Sequence, residues 1–389
     1  MNDSVFKGRV LVKIIIATDS FKGSIKATEA AQVIDKGVKR TFPNAETVLL
    51  PIGDGGEGTM EALVLATGGE VKQVKVTSPL LHEVEAEYGV LGDGKTCVIE
   101  LASASGLDLV AESQLAPLNT TTYGTGELIK QGLDDGFSKF IIGLGGSATN
   151  DGGVGILQAL GMKFLDSEGN DIGYGGGVLG KVHSINTENF DKRIKDSHFI
   201  IASDVQNPLI GRDGASYIFG PQKGATLKEV EILDKNIEHW ADVVYNVTNV
   251  KLHHKPGSGA AGGTGGAFQA FFPMEMKRGI DVVLDYIQLD KELVNADLVI
   301  TGEGRVDSQT IYGKTPLGVA QKAKEKGVPT VILAGSVGPG TEELYNHGVT
   351  SIHSIVNSPM TLEEAMKNAK HLLESCSEQV VRSYFHEEI

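Results

Sequence analysis

Cysteine is nearly absent: Cys97 and Cys376 are the only two in 389 residues. Two cysteines cannot build a disulfide framework or a cysteine-rich metal site. The ten histidines show no His-x-x-x-His or similar spacing, so no zinc site is indicated. No apolar run approaches the ~20 residues of a membrane-spanning helix, which excludes a membrane partner of that kind. The N-terminus lacks a signal-peptide pattern, residues 1–11 read as a short extension ahead of the first strand, and the expected location is cytoplasmic. Basic residues are also in deficit. Lys and Arg total 35 against 50 Asp and Glu, a net charge of −15. That balance excludes a nucleic-acid partner, which needs a basic face. It leaves room for a small anionic ligand held in a local basic pocket.

Glycine is what the chain has in excess. Its 50 glycines form no repeat but cluster in discrete loops after predicted strands, as phosphate-binding turns require. The length exceeds what one core usually supports, so two domains are expected. A β/α rhythm runs through a strand at 12–17, a helix at 24–41, a strand at 47–51 and a helix at 57–67. It returns with strands at 298–301, 330–334 and 351–356 and helices from 317, near 342 and at 361–383. Short apolar strands of this kind belong to a parallel sheet buried on both faces. Between the two runs, residues 71–101 read as antiparallel strands with a hairpin at Gly92-Asp93-Gly94, and a long helix is expected at 227–246. The predicted fold is α/β: a doubly wound, parallel, five-stranded sheet formed by 12–69 and 291–389, of Rossmann or flavodoxin type. A second, mixed α/β domain at 70–290 is inserted into it, and the interdomain cleft is the expected place for a two-substrate site.

The most informative segment is Phe140-Ile-Ile-Gly-Leu-Gly-Gly-Ser-Ala-Thr-Asn-Asp-Gly-Gly-Val154, a buried strand that breaks into a glycine turn and restarts as a helix. Exposed N–H groups in such a turn attract phosphate, and Asp151 adds a carboxylate for a metal or a proton. A structural turn capped by Asn150 or Asp151 is the alternative. Asp19-Ser-Phe-Lys-Gly-Ser24 follows the first strand; Lys22 suits a carboxylate or phosphate and Asp19 a cation or hydroxyl, while Ser24 reads as a helix cap. Pro51-Ile-Gly-Asp-Gly-Gly-Glu-Gly-Thr59 places Asp54 and Glu57 in a similar turn. Thr301-Gly-Glu-Gly-Arg-Val-Asp307 and Lys314 gather Glu303, Arg305 and Asp307 with a lysine. Gly313-Lys314-Thr315 fails as a Walker A motif because Ser308 stands where a glycine is required.

Ala202-Ser-Asp-Val-Gln-Asn-Pro208 offers Asp204 as an acid or as part of a turn, and Gly220-Pro-Gln-Lys-Gly224 supplies another lysine in a turn. Residues 256–266 read as a flexible loop wrapping a phosphate, or as a plain hinge. Thr120-Thr-Thr-Tyr-Gly-Thr-Gly-Glu127 is a hydroxyl-rich helix start suited to capping or to anion binding.

Six of these segments, in collinear order over about residues 12–380, strongly resemble the bacterial glycerate kinase family of glyoxylate and sugar-acid catabolism. They are the segments beginning at Ala17, Pro51, Gly143, Ala202, Gly259 and Thr301. The resemblance implies phosphorylation of D-glycerate by ATP, giving 2-phosphoglycerate with Mg2+ assisting, in two α/β domains with one inserted in the other. Residue roles follow from chemistry. Gly145, Gly146, Ser147 and Asn150 are expected to cradle ATP phosphates, with Gly262, Gly263 and Thr264 closing over them. Asp151 or Asp204 would hold Mg2+ or act as base, with Lys22 beside them in the catalytic set. Lys22 and Arg305 would bind the glycerate carboxylate and Asp54 a hydroxyl, with Asp19 and Asp307 also in the substrate-binding set. A homodimer is allowed for among the partners. The rival readings are a kinase for another small hydroxy acid, one forming 3-phosphoglycerate, and a non-catalytic sugar-acid sensor.

Overall fold

The computed structural model describes residues 12–53, 58–312 and 314–385. Thirteen strands lie among them. In chain order these are β1 (Lys13–Ile16), β2 (Glu46–Leu49), β3 (Glu70–Thr77), β4 (Glu83–Val90), β5 (Thr96–Glu100), β6 (Lys139–Gly143) and β7 (Lys163–Leu165). There follow β8 (Ser184–Asn186), β9 (His198–Ala202), β10 (Met274–Lys277), β11 (Leu298–Val306), β12 (Thr330–Val337) and β13 (Val349–Ser354). The chain divides into two compact units, Met1–Asp54 with Ile280–Ile389, and Gly55–Gly279.

The first unit holds a five-stranded sheet in the order β2-β1-β11-β12-β13, with every pairing parallel. Ile14, Ile15 and Ile16 of β1 are all fully buried, as a parallel strand covered on both faces demands. The helices Ala27–Thr41 and Ala369–Tyr384 pack together over one cluster of apolar side chains. Gly37 lets them close, since a Cβ there would lie 2.0 Å from Ser377 Oγ. Two local expectations change. Ser24 does not cap the first helix: Lys26 takes the cap position, its side chain making no capping bond, and Ser24 Oγ donates to Phe21 O at 2.8 Å. The expected C-terminal helix is two, Leu362–Lys367 and Ala369–Tyr384, parted at Asn368, whose amide donates to Glu364 O at 2.9 Å.

The second unit is built on a six-stranded sheet in the order β3-β4-β5-β6-β9-β10. β5, β6, β9 and β10 run parallel, while β3, β4 and β5 form an antiparallel meander. β7 and β8 make a separate ribbon. Phe140 and Phe199 stack at 4.8 Å between β6 and β9, and Trp240, from the helix Leu227–Thr248, is fully buried. That helix opens with a reciprocal capping box between Thr226 and Glu229.

The sequence reading places the seams at 69/70 and 290/291, whereas the compact units part at 54/55 and 279/280. Packing explains the shift. The helix Thr59–Thr67 lies on the second sheet, where Met60 and Val64 fill the space above Gly89 and Met60 N donates to Glu100 Oε1 at 2.9 Å. Ile280, at the start of the helix Gly279–Tyr286, packs instead on Gly318 of the first unit. No described helix is long and apolar enough to cross a membrane.

Candidate active site

In the first sheet β1 and β11 are neighbours, and chain connections leave them in opposite directions along the sheet. Such a switch point opens a crevice at the carboxyl ends of the strands, where ligands of open α/β sheets bind. Two backbone segments meet there. Asp19 N donates to Gly302 O at 2.9 Å, and Gly304 passes so near that a Cβ would lie 3.3 Å from Lys22 N. Asp19 is buried, its Oδ2 accepting from Thr315 Oγ1 at 2.9 Å and its Oδ1 from Ser20 N at 2.6 Å. Glu303 is buried beside it and accepts from Thr310 Oγ1 at 2.9 Å and Lys314 Nζ at 3.1 Å. Burial pushes the Glu303 carboxyl up, and the negative charge of Asp19 adds to that, while Lys314 and Thr310 pull it back.

Arg305 is exposed and uses Nε to hold Asp307 Oδ2 at 2.9 Å. The N–H of Gln309 and that arginine keep Asp307 below the usual carboxylate range. Lys22 is exposed and pairs with no carboxylate among the described residues. The crevice therefore carries Asp19, Lys22, Glu303, Arg305 and Asp307 together. Asp54 and Glu57 lie outside the described residues.

In the second unit the carboxyl end of β6 runs into the glycine turn. Gly145 is half-buried and Gly146 exposed, at φ +71°. The inner edge of the turn is tied down, for Leu107 N donates to Gly146 O at 2.8 Å and Ala148 N to Ser105 O at 2.9 Å. No described residue accepts from the N–H groups of Gly145, Gly146 or Ser147. The arrangement offers backbone donors to an anion. The side chains behind it do not reach out. Ser147 Oγ is engaged by Thr149 N at 3.1 Å and Thr149 Oγ1 at 3.0 Å, and Asn150 is fully buried with Nδ2 on Ser216 Oγ at 2.9 Å.

Asp151 is 1% exposed and takes five donors. Its Oδ2 accepts from Thr122 N (2.8 Å), Thr122 Oγ1 (2.9 Å), Gly155 N (3.2 Å) and Thr121 Oγ1 (3.4 Å), and its Oδ1 from Gly153 N (3.1 Å). Burial pushes its carboxyl up against the pull of those bonds. These five donors weigh against the expectation that Asp151 supplies a base or a metal ligand. Its lone pairs are spent tying the 120–122 segment to the helix Val154–Ala159.

The 256–266 tract is also corrected from a flexible closing loop. Gly262, Gly263 and Thr264 are buried. Gly262 O accepts from Gly152 N at 3.0 Å, and a Cβ on Gly262 would lie 2.1 Å from Thr149 O. The tract is a rigid backing for the turn and leads into the helix Thr264–Phe271. Asp204 stands exposed just beyond β9, at the same sheet edge as the turn, and accepts from Gly279 N at 3.3 Å. Lys223, a plain turn lysine in sequence, is 2% exposed and reaches Thr149 O at 2.5 Å and Ser147 Oγ at 3.4 Å. No periodicity could have placed it there, because only tertiary packing brings residue 223 under residues 147–149.

Fold and site together define a two-unit α/β protein that presents charged and backbone donors for small anions at two parallel-sheet edges. The chain belongs to the glycerate kinase family, whose sequence model matches residues 14–385. It is 48% identical to the glycerate 2-kinase of Escherichia coli (strain K12), covering 92% of this chain and 94% of that one. It is 47% identical to the glycerate kinase of Bacillus subtilis (strain 168), over 96% and 97% of the two chains. A crystal structure assigned to glycerate kinase 2 of Salmonella typhimurium LT2 is similar at a TM-score of 0.87 and 46% identity, covering 97% of this chain and 99% of that one.

Proposed function

We propose that this chain transfers the γ-phosphoryl group of ATP to the 2-hydroxyl of D-glycerate, giving 2-phosphoglycerate and ADP. The observation that carries the reading is the turn at the end of β6, whose N–H groups at Gly145, Gly146 and Ser147 have no acceptor among the described residues. Such donors fit phosphate oxygens. No cluster of three or more metal-binding side chains occurs among the described residues. Mg2+ in phosphoryl-transfer sites keeps several waters and takes one or two carboxylates plus substrate phosphates, so the exposed Asp204 suits it.

When bound, ATP would supply the phosphoryl group and Mg2+ would offset its charge. The backbone of Gly145–Ser147 holds phosphate oxygens. Lys22 and the free edge of the Arg305 guanidinium hold the carboxylate of glycerate, as a point charge and as a planar donor. In the first unit Asp19 and Asp307 accept from its hydroxyls, and Asp204 is the exposed acid of the second unit, at the sheet edge that carries the phosphate turn. Asp151 acts through the turn it shapes. The name of the Escherichia coli relative supports the 2-hydroxyl as acceptor.

Phosphorus NMR of the products from D-glycerate and ATP tests the reading, with 2-phosphoglycerate and stoichiometric ADP expected. A 3-phosphoglycerate signal overturns the regiochemistry. Glycerate binding with ADP released only at the background rate would mark a sensor instead.

A further inference from the structure

Lys223 ends the short turn Pro221–Lys223, ahead of the helix Leu227–Thr248, and its side chain runs inward. Among the described residues its ammonium group meets the glycine turn, at Thr149 O and Ser147 Oγ. No carboxylate pairs with it among the described residues. Taking an ammonium out of water without such a partner costs several kcal/mol. A methionine or leucine would fill the same space without that cost. Burial draws the group down to about 7, while the negative charge of Asp151 favours its protonated form. The cation contacts the same turn whose N–H groups at Gly145–Ser147 have no acceptor among the described residues. Fixed charge and aligned backbone dipoles on one turn add at the position an anion would occupy, where low dielectric strengthens both.

We propose that Lys223 is a positioning residue for phosphoryl transfer: it pins the Ser147–Thr149 segment from inside and lends its charge to a polyphosphate anion held by the N–H groups of the same turn. The proposal rests on the reading of this turn as the ATP phosphate site. It separates two features of the same turn, since the backbone supplies direction and the buried lysine supplies net charge. The backbone donors alone would leave the site neutral. The opposite charge in the interior, Asp151, is spent on five donors of its own.

The experiment uses the full chain with ATP, D-glycerate and sulfate, the last as an anion whose charge is constant near neutral pH. Lys223→Met removes the charge at similar length, Lys223→Gln keeps a donor for Thr149 O without the charge, and Lys223→Arg keeps the charge. The expected result for Lys223→Met and Lys223→Gln is a KM for ATP raised about 10- to 100-fold, the worth of one charged contact. Sulfate should lose its competition with ATP in both, while the KM for D-glycerate stays within about twofold. Lys223→Arg should recover ATP affinity. Two results overturn the proposal. One is a wild-type KM for ATP and wild-type sulfate inhibition in a folded Lys223→Met or Lys223→Gln enzyme. The other is both KM values rising in parallel with a fall in melting temperature, which is what a merely structural lysine gives. Failure of the wild-type chain to form phosphoglycerate would instead overturn the functional reading.

Discussion

Single residues in this chain owe their roles to how many of their lone pairs and charges the protein itself consumes. Asp151 and Asp204 read alike in sequence, as acids just after strands, yet one is sealed among five donors and the other stands exposed. Asparagine at 151 can keep its oxygen toward the Thr122 donors but turns its NH2 toward Gly153 N and leaves that buried donor unpaired, at a cost of about 1–3 kcal/mol. Urea denaturation of Asp151→Asn should show that loss, while the folded fraction keeps its KM values. Asp204→Asn should leave the urea midpoint unchanged and lower kcat about 100-fold or more. The reverse pattern would exchange their roles.

Lys223 carries a pH signature as well. Without a bound anion its folded-state pKa of about 7 lies below the ordinary 10.5, so between those values the unfolded chain holds a proton that the folded chain has released and that a bound polyphosphate would draw back. The stability contributed by this group therefore rises as pH increases from about 7 toward 10.5. The wild type should gain in urea midpoint relative to Lys223→Met between pH 7 and pH 9. An unchanged difference would show that the amine is not perturbed.

At the scale of elements, glycine patterns proved to have two uses. The turn after β6 exposes Gly146, whereas the 257–266 tract is packed against it and presents almost nothing to solvent. A glycine-rich string signals close approach to something; in sequence the partner is invisible, because a phosphate and a neighbouring backbone both require a missing Cβ. Gly262 has φ +65° and a Cβ there would meet Thr149 O at 2.1 Å and Asn150 Cα at 2.6 Å. Gly262→Ala thus combines a left-handed backbone with a backbone clash. It should destabilise the fold by about 3 kcal/mol and weaken ATP binding through the displaced turn, both readable by thermal melting and by the KM for ATP. A variant with wild-type stability would show that the tract can yield. Strands were easier to place than helix ends. Buried runs such as Ile14–Ile16 announce themselves by composition, whereas the first helix starts three residues past Ser24, where no side chain caps it.

For the molecule as a whole, the strand order β2-β1-β11-β12-β13 brings Asp19 and Lys22 beside Glu303, Arg305 and Asp307, residues nearly 290 positions apart. The local motif at each strand end was legible in the sequence, as were the parallel five-stranded sheet and the family. Each depends on short-range chemistry: apolar runs of strand length, glycines at the turns, charges just beyond them. The seams between the units were displaced in sequence because Met60 and Ile280 are ordinary apolar residues whose sheet is chosen only by packing. By itself the sequence determined which segments are strands, turns and charged loops, since these follow from the preferences of neighbouring residues. Only the tertiary structure decided which carboxylate is spent, which glycines face solvent, and that Lys223 is buried against the glycine turn. Those outcomes depend on burial and on donors contributed by segments distant in the chain.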